Sequence, residues 1–232
     1  MAKSSVKLLG VWASPFSLRA QIALNLKSID YEFIVEDFVN KSQLLIESNP
    51  VHKKVPVLIH DGKPVCESLI IVQYIDDVWT SNGPSFLPSD PYERATALFW
   101  AAYIENKIYP FIRTILYADG DEAKMTSGQE EANQILGLLE NTFTNCSKGK
   151  KFFGGEKIGY VDIALGSFLA WIRVLEKLCS DSLIDETKTP NLFKWAQEFC
   201  DDDAVKDVLP ETEKLLEFAN NLAARVKNAN SK

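Results

Sequence analysis

Short apolar runs alternate with helical spacings over the first third of the chain, and the alternation stops near residue 80. Val6 to Val11 is an apolar run followed by turn chemistry, and in residues 15–27 Phe16, Ile22, Ala23 and Leu26 recur near helical spacing. Tyr31-Glu32-Phe33-Ile34-Val35 reads as a second strand, which a crossover helix places parallel to the first with a right-handed connection. Val57-Leu58-Ile59-His60 and Lys63-Pro64-Val65-Cys66 then flank Asp61-Gly62, a pair favoured in tight hairpin turns because the central residues take positive φ. Ser68 to Val78 reads as an apolar-rich helix. The expected unit is β-α-β followed by β-β-α, a small mixed sheet covered by helices.

Residues 80–91, TSNGPSFLPSDP, carry three prolines, three serines and a glycine, the strongest punctuation in the chain. The domains expected are 1–80, a linker at 81–91, and 92–232. Beyond the linker the pattern is helical over 92–118, 129–145, 160–178, 190–200 and 211–227, so the second domain is expected to be all-helical. In Ile158-Gly159-Tyr160-Val161-Asp162-Ile163, Gly159 reads as an N-cap, Asp162 reaches back to the cap amide, and Ile158 with Ile163 forms a hydrophobic staple. Pro110, inside a helical pattern, is expected to kink it.

Composition narrows the function classes. The 232 residues are 46% hydrophobic and 25% charged, a globular composition, and the formal net charge of −7 disfavours nucleic acid or anionic membrane as partner. An anionic ligand must therefore be held by local positive groups. No window approaches a membrane span, and the first residues lack the apolar run of a secretory leader, which makes a cytoplasmic protein the expectation. Cys66, Cys146, Cys179 and Cys200 have no metal-ligand spacing and only two histidines accompany them, so no metal is expected; four buried thiols acting as small apolar residues is the plain reading.

Ser14 precedes Pro15 at a strand-to-helix turn, the layout of a thiol redox turn without its cysteine. Read alone, it is the N-cap of the first helix. The same helix terminus presents free N–H groups and partial positive charge, which suits a thiolate, and a hydroxyl there can donate to a visiting sulfur. His52 and His60 are expected on the far half of the domain, which disfavours a serine hydrolase. Pro56 belongs at the start of a strand, and Val55-Pro56 is a candidate cis bond that turns the Val55 backbone outward. Glu67 and Ser68 fall at the next strand-to-helix junction, where taken alone they read as an ordinary cap, although the same terminus can receive a ligand carboxylate or ammonium.

The stretches VWASPFSLRAQIAL, NPVHKKVPVLIHDGKPVCESLIIVQYIDDVW and KKFFGGEKIGYVDIALG together resemble the plant glutathione transferases of the tau class. The resemblance covers essentially the whole chain. It implies a thioredoxin-like N-terminal domain followed by an all-α domain, and glutathione as co-substrate. Ser14 would donate to the glutathione sulfur, Asn40 and Lys41 would contact the glycyl end with Lys54 assisting, Val55 would pair with the cysteinyl backbone, and Glu67 and Ser68 would hold the γ-glutamyl end. Lys53 adds to the local positive charge. The electrophile would lie against Trp12, Phe16, Tyr109, Arg113, Trp171 and Phe218; each aromatic also has a core-packing reading, and Arg113 reads equally as the partner of a neighbouring acid.

The activity so implied is conjugation of glutathione to hydrophobic electrophiles in detoxification and stress, with peroxide reduction as a side activity. Two other classes compete: a carrier of hydrophobic metabolites that does not catalyse, and a thiol oxidoreductase, against which Ser14 in the cysteine's place argues. A homodimer is a further expectation, with Asp76 or Asp77 facing Arg94 of the partner.

Overall fold

The computed structural model describes residues 5–230; residues 1–4 and 231–232, at the outer ends of the two expected domains, lie outside it. Four strands, β1 (Val6–Gly10), β2 (Glu32–Val35), β3 (Val57–His60) and β4 (Lys63–Cys66), form one sheet in the order β2-β1-β3-β4. β1 pairs in parallel with β2, Lys7 facing Glu32, and antiparallel with β3, Val6 facing His60. The β3–β4 hairpin turns at Asp61 (φ 48°) and Gly62 (φ 77°), both left-handed, as the Asp-Gly pair predicts.

Two long helices, α1 (Pro15–Leu26) and α3 (Ser68–Val78), pack together beside the sheet, and the one-and-a-half-turn α2 (Gln43–Ser48), absent from the sequence reading, places Leu45 against Leu9, Val57 and Ile59. α2 escaped notice because six residues are too few to show a period. The sequence expectation of Asp76 at a subunit interface is corrected here: its side chain is 6% exposed, pairs with Lys27 Nζ at 2.8 Å, and accepts the backbone N–H groups of Phe86 and Leu87. A carboxylate so used ties α1 and the segment after α3 together.

The helical half comprises α4 (Pro91–Leu116), α5 (Glu122–Ser147), α6 (Tyr160–Gly166), α7 (Leu169–Cys179), α8 (Pro190–Asp201) and α9 (Thr212–Asn230). α4 opens at Asp90, whose carboxylate accepts from Tyr92 and Glu93 N–H, and it runs unbroken through Pro110. The single helix expected at 160–178 is two, separated at Ser167-Phe168; apolar periodicity continued across the break because both pieces are buried. The four cysteines are half-buried rather than buried.

Asp162 organises the centre of this half. It is fully buried and accepts N–H bonds from Phe153 (2.8 Å), Gly154 (2.9 Å), Gly159 (2.9 Å) and the Trp195 indole (2.8 Å). Gly154 and Gly159 approach so closely that a Cβ on Gly154 would meet Gly159 Cα at 2.8 Å, which fixes glycine at both places. Burial pushes the Asp162 carboxyl up to about 6, against the pull of its four donors. Because this folded value exceeds the ordinary 3.8, the folded protein holds the extra proton between them; the carboxyl's contribution to stability is full below 3.8 and is lost as pH rises through about 6. Asp162→Asn, which cannot accept all four bonds, is expected to cost about 2–4 kcal/mol in denaturant unfolding, with the gap to wild type narrowing from about pH 4 to pH 7.

Candidate active site

Ser14 stands where two cavities meet. It is the N-cap of α1 with extended backbone (φ −86°, ψ 119°), and Pro15 takes the first helical position, where its missing N–H costs nothing. The Ser14 side chain is 6% exposed and its oxygen accepts the Ser17 N–H at 3.3 Å. That bond uses a lone pair and leaves the hydroxyl proton to donate elsewhere. Ser17, fully buried, accepts the Val11 N–H at 3.2 Å and so locks the end of β1 onto α1.

The first cavity, about 470 Å³, is the more polar of the two and lies along the strand ends. Ser14, Lys41, Lys54, Val55, Glu67 and Ser68 all line it, together with Lys53. Asn40 does not; its backbone N–H is held by Asp37 Oδ1 at 2.8 Å in the same turn that positions Lys41. Glu36, buried, accepts both the N–H and the hydroxyl of Ser42, which pins the two ends of that turn. The Val55-Pro56 bond is cis. His52 lines neither cavity; its Nε2 stands 3.9 Å from Glu67 Oε1, both side chains exposed.

Glu67 has φ 72°, a left-handed value that costs an L-residue free energy, and its side chain makes no cap bond. The structure thus departs from the ordinary capping arrangement at this junction. Ser68, the first residue of α3, instead accepts a hydrogen bond from Arg19 Nη1 at 3.0 Å. Arg19 is the main residue that sequence reasoning missed. It is fully buried, pairs with Glu105 from α4, donates to Ser167 Oγ and the Ala164 carbonyl, and lies over the rings of Phe16 and Phe168 at 5.3 and 5.0 Å. Burial pulls its pKa down while Glu105 pushes it up. The signal was present: Arg19 occupies the apolar stripe Pro15, Leu18, Ile22 at helical spacing, where an unpaired charge is not tolerated.

The second cavity, about 260 Å³, is predominantly apolar and lies between the two halves. Phe16, Tyr109, Arg113, Trp171 and Phe218 line it beside Ser14. The Phe16 and Tyr109 rings meet edge-on at 5.2 Å, the Arg113 guanidinium lies over Tyr109 and Tyr117, and the Trp171 indole donates to the Ala13 carbonyl at 2.8 Å. Trp12 is not a wall residue; it packs edge-on behind Phe218 at 5.5 Å. Phe38, also missed, lines both cavities and meets the Phe218 ring at 6.0 Å. No cluster of metal-ligating side chains is present among the described residues, and no helix there is long and apolar enough to cross a membrane.

A thioredoxin-like sheet half followed by an all-helical half is the fold of the glutathione transferases, and known sequences and structures agree. The glutathione S-transferase N-terminal domain matches residues 4–77 and the C-terminal domain matches residues 96–203. Glutathione S-transferase U17 of Arabidopsis thaliana is 59% identical over 224 residues, covering 96% of this chain and 97% of its own. The crystal structure of a tau class glutathione S-transferase from mango, Mangifera indica, is 59% identical with a TM-score of 0.90 over 94% of this chain and 98% of that one. A rice enzyme solved in complex with glutathione is 37% identical with a TM-score of 0.88 over 97% of this chain and 99% of that one. The chain belongs to the glutathione S-transferase family, in its tau class.

Proposed function

We propose that this protein conjugates glutathione to hydrophobic electrophiles, with the tripeptide in the polar cavity and the electrophile in the apolar one. The observation that carries the reading is the position of Ser14 on the walls of both cavities at once, at the positive end of α1. Its free proton donates to the glutathione sulfur and favours the thiolate. The thiolate attacks the electrophilic carbon, a C–S bond forms, the leaving group departs with its electron pair, and the thiol proton goes to solvent. Lys41, Lys53 and Lys54 hold the glycyl end and its carboxylate, the Val55 backbone pairs with the cysteinyl residue, and Glu67 and Ser68 receive the γ-glutamyl ammonium and carboxylate. Phe16, Tyr109, Trp171 and Phe218 bury the acceptor.

The same thiolate supports organic peroxide reduction as a side activity, two glutathiones ending as the disulfide. We assign residues 1–80 to glutathione binding, 81–91 to the linker and 92–232 to the electrophile wall. The working form is a cytoplasmic homodimer; Asp77, exposed, and Arg94, half-exposed, are the candidate interface ions, since Asp76 is buried. Conjugation of chlorodinitrobenzene tests the activity. Turnover is expected in wild type, and Lys54→Ala is expected to raise KM for glutathione severalfold with kcat little changed, the mark of binding energy common to ground and transition states. Ligand binding with no turnover of any electrophile or peroxide would make the protein a carrier instead.

A further inference from the structure

A separate cavity of about 420 Å³ opens on the helical half, formed by the end of α5, the turn that follows it and the first turns of α8. Ser147, Lys150, Lys151, Asn191 and Lys194 line it together with two carboxylates, Glu156 and Glu198, over the buried rings of Phe143 and Trp195. None of these residues touches the cleft described above.

Two independent features distinguish this cavity. Ser147 is 1% exposed, yet its hydroxyl has no hydrogen-bond partner among the described residues. Buried hydroxyls are nearly always paired, and one that lines a cavity without a partner is suited to a ligand's acceptor. Three ammonium groups also gather here on a chain of net charge −7. Lys150 pairs with Glu156, and Lys151 with Glu198 at 2.9 Å, both exposed pairs of the weakly held kind. Lys194, exposed on α8, has no carboxylate partner among the described residues. The N–H groups of Asn191 and Leu192 are already engaged by Glu140, so the α8 terminus is satisfied and the lysines and Ser147 are the available donors.

We propose that this cavity is a second binding site, for a phosphate-type oxyanion carried free or on a phosphomonoester. Lysine ammonium groups act as point charges toward phosphate; Lys194 is the one without a carboxylate partner among the described residues, and Lys150 and Lys151 reach the same space from their pairs with Glu156 and Glu198. The cavity is also larger than a bare ion needs and falls within the range of small-molecule sites. The organic part of a monoester would lie against Phe143 and Trp195.

Calorimetric titration of the whole protein tests this, with the cleft saturated by glutathione so that Lys41, Lys53 and Lys54 are covered. The probes are sodium phosphate and phenyl phosphate in phosphate-free buffer. Saturable binding at one site is expected, weakened about tenfold or more by Lys194→Glu and severalfold by Ser147→Ala. Lys194 is exposed, so that variant keeps the wild-type melting temperature and decides the matter even where Ser147→Ala fails to fold. Tighter binding of phenyl phosphate assigns the site to phosphomonoesters, and equal binding assigns it to free phosphate. Absence of saturable binding with both probes, or wild-type affinity in Lys194→Glu, overturns the proposal.

Discussion

Ser14→Ala is expected to lower kcat/KM for conjugation at neutral pH by about 10²-fold while glutathione still binds. The argument is electrostatic. A thiol of ordinary pKa is mostly protonated near neutrality, and one charge-assisted hydrogen bond at a helix N-terminus, where about half a positive charge resides, lowers it by roughly 2 units, or about 2.7 kcal/mol. Alanine keeps the helix, because Pro15 still sets its first turn, but deletes both the donor to sulfur and the acceptor for Ser17 N–H. The rate should therefore recover as pH rises and the bound thiol ionises unaided. The check is the pH profile of kcat/KM, which should move alkaline by about 2 units with KM for glutathione nearly unchanged. A profile that stays in place with a raised KM would assign Ser14 to binding alone.

Arg19→Met is expected to destabilise the fold by about 3–5 kcal/mol, on the order of a 10 °C fall in melting temperature for a chain of this size. Removing the guanidinium deprives the Ser68 and Ser167 hydroxyls of their donor, takes one of two donors from the Ala164 carbonyl, and leaves Glu105 without its buried partner. These groups come from α1, α3, α4 and α6, so the loss is shared by both halves of the molecule. Glu105 is a part-exposed wall of the polar cavity and Ser68 is another, so the surviving folded enzyme should also show a raised KM for glutathione. Arg19→Lys, which keeps the charge but not the fork of donors, is expected to recover only part of the stability. A melting temperature within about 2 °C of wild type in Arg19→Met would show that the buried network contributes nothing net.

Sheet, hairpin and helix positions were legible because each rests on local physics. Asp61-Gly62 takes left-handed φ at both positions, Pro15 and Pro91 start helices, and Gly159 with Asp162 caps one, all within a few residues of chain. Where a signal depends on distant partners, reading failed. Asp76, offered beside Asp77 as an interface ion, is buried instead, because its partners Lys27, Phe86 and Leu87 come from α1 and from the segment beyond α3. The helix break at Ser167-Phe168 was hidden by apolar residues on both sides.

The sequence by itself determined that an anion-favouring helix terminus with a hydroxyl in place of a thiol opens α1, that basic residues and a strand-start proline follow, and that an all-helical half comes after a proline-rich break. Those are properties of short segments. Only the tertiary structure decided which candidates share a wall: Lys41, Lys54, Val55, Glu67 and Ser68 come together with Ser14, while Asn40 is turned into its own loop and Trp12 stands behind Phe218. It also placed Glu105 and Phe38 on that wall and buried Arg19 behind Ser68 and Glu105. A cavity wall is assembled from segments dozens of residues apart, and its membership is fixed by how helices pack on the sheet and on one another, which no local pattern encodes.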